Sequence, residues 1–243
     1  TCALPIFTPG QVPGRPIISG NNTPTEKISS FVDEHIKEFV CNYPSYIRDT
    51  THFIQRLEEY KLDNSKDILL VTMDVTSLYT NIPNGEGMRA VAQAIRRFKP
   101  DWQLSPTSLL SLLKLVLQKN NFVFNGTHYL QVGGTAMGTK LAPSYANIFM
   151  GELEEKLLAD YTDKPDLYIR FIDDIFLIWT LGQDRLDKFL TYLNSSHPTI
   201  KFTAEFSRTK VCFLDTWVSN ENKLDTLEIT LYCKPTDTHS YLL

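Results

Sequence analysis

Apolar positions recur along the chain with two different periods. After an opening from Leu4 to Pro24 that is rich in Pro and Gly and reads as extended segments and turns, Ile28, Phe31, Val32, His35, Ile36, Phe39 and Val40 repeat at helical spacing behind Thr25-Glu26-Lys27. A second amphipathic helix is predicted over Thr50 to Tyr60. Ile68 to Val75 is a nearly continuous apolar run, the pattern of a central strand buried on both faces. Helices are predicted over Glu86 to Phe98 and Thr107 to Gln118, with Pro106 as the start signal of the latter. Next comes a hairpin, Phe122-Val123-Phe124 and His128-Tyr129-Leu130 about an Asn125-Gly126 turn. A helix from Pro143 to about Ala159, a second hairpin over Leu167 to Trp179 and a helix over Asp184 to Leu193 follow. Strands over Thr199 to Phe206, Val211 to Ser219 and Leu227 to Cys233 close the chain. This order predicts an α+β fold, an antiparallel sheet backed by helices.

The second hairpin carries the candidate chemistry. Phe171-Ile172-Asp173-Asp174 stands between Leu167-Tyr168-Ile169 and Ile175-Phe176-Leu177-Ile178-Trp179, so two adjacent acids sit where an apolar strand turns back. Two ionised carboxylates in such surroundings cost several kcal/mol unless neutralised, and a divalent cation is their natural partner. Asp-Asp is also an ordinary exposed turn dipeptide, and the pair alone does not decide between the two. Asp74, at the end of the strand Ile68-Leu69-Leu70-Val71-Thr72-Met73, changes the picture. If the two strands are neighbours, three acids meet, the arrangement that two-metal phosphoryl transfer uses.

Composition constrains the partners only loosely. A net charge of −4 over 243 residues does not by itself suggest nucleic acid. Cys2, Cys41, Cys212 and Cys233 lack zinc or disulfide-framework spacing and read as reduced thiols of an intracellular protein. No stretch has the length of a membrane span. The absent initiator Met and the abrupt Tyr241-Leu242-Leu243 end read as a fragment.

Asp74 with Tyr79, Gly138-Thr139-Lys140-Leu141-Ala142-Pro143 and Phe171-Ile172-Asp173-Asp174 resemble motifs A, B and C of reverse transcriptases, in that order. Gly14-Arg15-Pro16-Ile17-Ile18-Ser19, the run from Asp74 to Pro83, Gly134-Thr135-Ala136-Met137-Gly138-Thr139, Ala142-Pro143-Ser144-Tyr145-Ala146-Asn147 and Phe213-Leu214-Asp215 resemble the Penelope-like retroelement branch, which is similar to telomerase. The resemblance implies a right-hand polymerase with fingers and palm, the thumb absent. It implies fingers over 1–67, palm with motif A over 68–83, connecting helices and a hairpin over 84–132, and palm with motifs B to E over 133–243.

The same resemblance implies that Asp74, Asp173 and Asp174 are catalytic. They would hold two Mg²⁺ ions, with Mn²⁺ as a substitute and the Val75 carbonyl as a backbone ligand. Tyr79 would be a steric gate that excludes a 2′-hydroxyl, Gly138 would let the backbone approach the nucleotide, and Arg15 would contact the triphosphate. Lys210 is a candidate general acid or phosphate contact, and the Phe213-Leu214-Asp215 hairpin a candidate primer grip. The implied partners are an RNA template, a DNA primer and dNTPs, with a thumb or endonuclease segment of the full-length element protein supplied elsewhere.

The chain departs from this branch before Arg15. Leu4-Pro5-Ile6-Phe7-Thr8-Pro9 stands where relatives carry a Leu-Pro-Lys-Ile-His-Lys stretch, which removes basic contacts. Two alternatives stay open: a truncated remnant that binds template and primer without chemistry, and an unrelated metal-dependent phosphohydrolase. The second explains the acids but not Tyr79, Gly138 and Arg15 in order.

Overall fold

A computed structural model describes residues 20–63, 65–222 and 226–233. In chain order its elements are α1 (Glu26–Val40), α2 (Thr50–Glu58), β1 (Leu69–Val75), α3 (Leu78–Asn81), α4 (Asn84–Phe98), α5 (Pro106–Gln118), β2 (Asn121–Phe124) and β3 (Thr127–Leu130). They continue with α6 (Ala142–Asp160), β4 (Leu167–Phe171), β5 (Asp174–Trp179), α7 (Gln183–Ser196), β6 (Phe202–Ser207), β7 (Lys210–Phe213), β8 (Thr216–Ser219) and β9 (Glu228–Leu231). The α+β expectation holds. One local reading is corrected: the run Val211 to Ser219 is not one strand but β7 and β8, folded back at Leu214-Asp215, where the family resemblance implied a hairpin. Leu78–Asn81, too short for its pattern to signal an element, forms one helical turn.

The chain forms two compact units, one from the residues up to Tyr43 with Ser77–Lys156, the other from Pro44–Thr76 with the residues from Leu157 onward. In the first, α1, α4 and α5 pack together through their apolar stripes, which bury Val32, Ile36 and Phe39, Val91 and Ile95, and Leu109 and Leu113. Gly87 on α4 and Gly151 on α6 admit aromatic rings directly onto helix backbone. A Cβ at either would overlap the Tyr145 or Tyr43 side chain. The β2–β3 hairpin forms a separate two-stranded sheet.

In the second unit the order β4-β5-β1-β6 makes an antiparallel four-stranded sheet, and β7-β8-β9 a three-stranded one. The expected burial of β1 is borne out, since both faces are covered until the strand opens to solvent at Asp74. Strand alternation puts Leu70, Ile169, Phe176 and Ile178 on one face, where they join Phe53 and Leu57 of α2 and Val211 and Phe213 of β7 in one core. Phe53 anchors it, with ring centroids 5.3 Å from Phe176 and 4.7 Å from Phe213.

Candidate functional site

The acid cluster is built by strand register. On β1 the side chains of Leu70, Thr72 and Asp74 share one face, so burial of Leu70 in the core fixes where Asp74 emerges. The β1–β5 register pairs Leu70 with Ile178, Thr72 with Phe176 and Asp74 with Asp174. The Val75 N–H donates to the Asp173 carbonyl at 3.0 Å, which makes Asp74 and Asp174 a pair not bonded to each other through the backbone. Such pairs have the closest side chains, with Cα atoms about 4.5 Å apart. Two like charges directly opposite destabilise a sheet, so this pair calls for a counter-charge. Asp74 is exposed and Asp173 and Asp174 are half-buried. Among the described residues no three His, Cys, Asp or Glu side chains are gathered closely enough to hold a metal ion. The expected meeting of the three acids is thus met at the backbone, where the register sets Asp74 opposite Asp174 with Asp173 next to it, and not by side chains converging on one point; their carboxylate oxygens are of the hard donor type that divalent cations such as Mg²⁺ take.

Asp173 lies in the loop of a two-residue hairpin closed by the Phe171–Asp174 pair. Its neighbour Ile172 has φ 56, while Asp173 is not among the residues at positive φ, the pattern of a type II′ turn, whose first position suits Gly. A β-branched residue there is a true outlier, at a cost on the order of 1–3 kcal/mol. The same turn recurs where Phe213 pairs with Thr216 across Leu214-Asp215, with Leu214 at φ 51.

Arg170 is the functional candidate that motif reading passes over. It is fully buried, and its guanidinium donates to the Ile172 carbonyl at 3.0 Å. Its backbone is held as well, because Arg170 N–H donates to the Ser45 carbonyl at 2.6 Å and Ile47 N–H donates to the Arg170 carbonyl at 3.0 Å. A charged residue inside the apolar run Leu167 to Phe171 is the signal that could have found it, since a buried Arg requires acceptors.

The other expected residues fall as follows. Tyr79 is half-buried on α3 in the first unit, and its carbonyl accepts the Thr135 N–H at 2.7 Å. Gly134, at φ 67, is forced by that contact, because a Cβ would stand 2.5 Å from the Tyr79 carbonyl oxygen. The Gly138 carbonyl, also in the first unit, accepts the Gly20 N–H at 3.0 Å. In the first unit backbone contacts join Tyr79 to Gly134 and Thr135, and Gly138 to Gly20; in the second they join Asp74 and Val75 to Asp173 and Asp174. Lys210 is exposed, with its ammonium 5.0 Å from the Trp217 ring centroid. Arg15 lies outside the described residues.

No helix among the described residues is long and apolar enough to cross a membrane. Residues 14–231 match the reverse transcriptase (RNA-dependent DNA polymerase) family. No curated protein matches. Among solved structures, apo telomerase from Candida tropicalis aligns with TM-score 0.62 and 12% identity over 86% of this chain and 40% of its own. Telomerase from Candida albicans, in complex with a fragment of telomeric RNA, aligns with TM-score 0.62 and 10% identity over 86% of this chain and 39% of its own. The RNA-dependent RNA polymerase of BmCPV at its elongation state gives TM-score 0.57 and 14% identity over 84% of this chain and 20% of its own. At these identities the likeness is one of fold, and the chain spans less than half the length of each structure. The family match covers the acids, the Tyr79 segment and the Gly-rich stretch together, and the chain therefore belongs to the reverse transcriptase (RNA-dependent DNA polymerase) family.

Proposed function

We propose that this chain is the nucleotidyl-transfer core of an RNA-directed DNA polymerase of the Penelope-like branch, which extends the 3′-hydroxyl of a DNA primer with dNTPs on an RNA template. The observation that carries the reading is the register that sets Asp74 opposite Asp174, with the Asp173 carbonyl tied to the Val75 N–H. Asp74 and Asp173, with Asp174 beside them and the Val75 carbonyl as a backbone ligand, would hold two Mg²⁺ ions or their Mn²⁺ substitutes. Held by these residues, such ions would supply activation of the primer hydroxyl and neutralisation of the charge on the transferring phosphoryl group and the leaving pyrophosphate. The carboxylate side chains would have to turn toward one point to do so, and the β1–β5 register is what supports that reading.

Arg170 keeps the turn that carries Asp173 in place through the Ile172 carbonyl. Tyr79 excludes ribonucleotides by the bulk of its ring, Gly138 leaves room for the nucleotide, and Arg15 offers a planar donor fork to the triphosphate. The proposal takes 1–67 and 84–132 as fingers and connecting elements, and 68–83 with 133–243 as palm. It also takes a thumb or endonuclease segment of a longer element protein as partner, and the nucleus as the place of action.

The test is extension of a labelled DNA primer annealed to RNA, with dNTPs and Mg²⁺ or Mn²⁺. Metal-dependent extension that Asp173→Asn abolishes is expected, and Tyr79→Ala should admit ribonucleotides. Binding of primer and template without extension in either metal would overturn the catalytic reading and leave a binding module.

A further inference from the structure

From Trp102 to Gly151 the chain carries no Asp or Glu, although 28 acids are spread over its 243 residues. At that density a stretch of this length would hold about six. Its charged side chains are Lys114, Lys119 and Lys140, all exposed, in a protein whose net charge is −4. In the middle of this acid-free stretch stands the β2–β3 hairpin. Strand alternation and the Phe122–Tyr129 and Phe124–Thr127 pairs put Phe122, Phe124 and Tyr129 on one face. Phe122 and Tyr129 stack with centroids 5.3 Å apart and planes at 18°, and Phe124 and Tyr129 keep 51% and 46% of their surface exposed. Lys119 precedes the first strand and exposed Thr127 shares the aromatic face, while Asn121 and His128 are on the opposite face.

We propose that this aromatic face is a stacking platform for single-stranded RNA, the template strand of the polymerase reading on which this inference rests. Unpaired bases stack on exposed rings with little regard to sequence, and the phosphates between them favour a surface without carboxylates. A second protein is the poorer fit. Three partly exposed rings offer a few hundred Å² at most, well under the roughly 800 Å² per partner that a stable protein interface buries.

The test measures fluorescence anisotropy of a labelled single-stranded RNA of about fifteen nucleotides with the full chain, at several salt concentrations. Phe124→Ser with Tyr129→Ser should weaken binding by about tenfold for each ring and leave the salt slope unaltered. Lys119→Ala should lower that slope by about one. Phe124→Tyr with Tyr129→Phe keeps the rings and should keep the affinity, which separates stacking from damage to the fold. Affinity for a blunt RNA duplex should not respond to either ring pair.

Unaltered single-strand affinity in the serine pair, equal weakening on the duplex, or a shift in molar mass by light scattering that marks a protein contact would each overturn the platform. So would failure of the intact chain to bind RNA. Extension with unaltered affinity in the serine pair sinks the platform alone. Weakened affinity in a chain that never extends a primer sinks the polymerase chemistry alone.

Discussion

Two hairpins of this protein hold their shape by opposite means. The β2–β3 loop is Asn125-Gly126 at φ 48 and 75, the left-handed pair that a type I′ turn requires from residues suited to it. Turn chemistry and strand pattern agree there, and the hairpin stands with nearly all of its residues exposed. The β4–β5 loop begins instead with Ile172 at φ 56, a conformation its branched side chain resists. That hairpin persists because its surroundings over-determine it: the ladder with β1, the Val75 N–H on the Asp173 carbonyl, and Arg170 on the Ile172 carbonyl. Strain beside the paired acids is thus carried by the ladder with β1 and by the Arg170 side chain two residues away, whereas the loop of the exposed hairpin agrees with local preference.

Substitutions can break or sharpen this contrast. The largest effect should come from Asp173→Asn, which is expected to slow primer extension at least about a thousandfold while the urea unfolding midpoint stays put. A matching loss of stability would mean that Asp173 acts through the fold instead. Arg170→Leu removes a buried charged donor and should lower stability by about 2–3 kcal/mol, read as a lower urea midpoint with an unchanged m value. An unshifted midpoint would show that the strained turn needs no such support. Gly126→Val should cost about 1–2 kcal/mol, with hydrogen exchange accelerated over residues 121–130 and the main melting transition unmoved. Movement of the main transition would contradict the independence of that hairpin. The smallest effect is expected of Ile172→Gly, a gain of about 1 kcal/mol and a melting midpoint higher by about 2–4 °C. A lower midpoint would mean that packing of the Ile172 side chain outweighs its backbone strain.

Legibility of the chain follows the same division. Helices with a strong stripe and the Asn125-Gly126 turn were readable because local preference points the same way as the fold. Ile68 to Val75 was readable as a buried strand because nearly every position is apolar, and Asp74 stood out as the exception. The break at Leu214-Asp215 carries no turn signal inside its run of strand-forming residues, since Leu at φ 51 is neither Gly nor Asn, and only the family resemblance marks Phe213-Leu214-Asp215 as a hairpin. Of the site, the three acids were visible as residue types, but their pairing depends on a register between strands a hundred residues apart in the chain. A charged Arg170 inside an apolar run signals a buried donor that needs acceptors, but which carbonyl it holds is a matter of where the side chain ends in space.

The central claim is that Asp74 and Asp173 jointly hold divalent ions for nucleotidyl transfer. The most direct measurement counts Mn²⁺ by electron paramagnetic resonance in the full chain bound to primer, RNA template and a non-hydrolysable dNTP. Two bound ions above the nucleotide-only control, lost in both Asp74→Asn and Asp173→Asn, are the expected result. Undiminished Mn²⁺ binding in either variant would contradict the account.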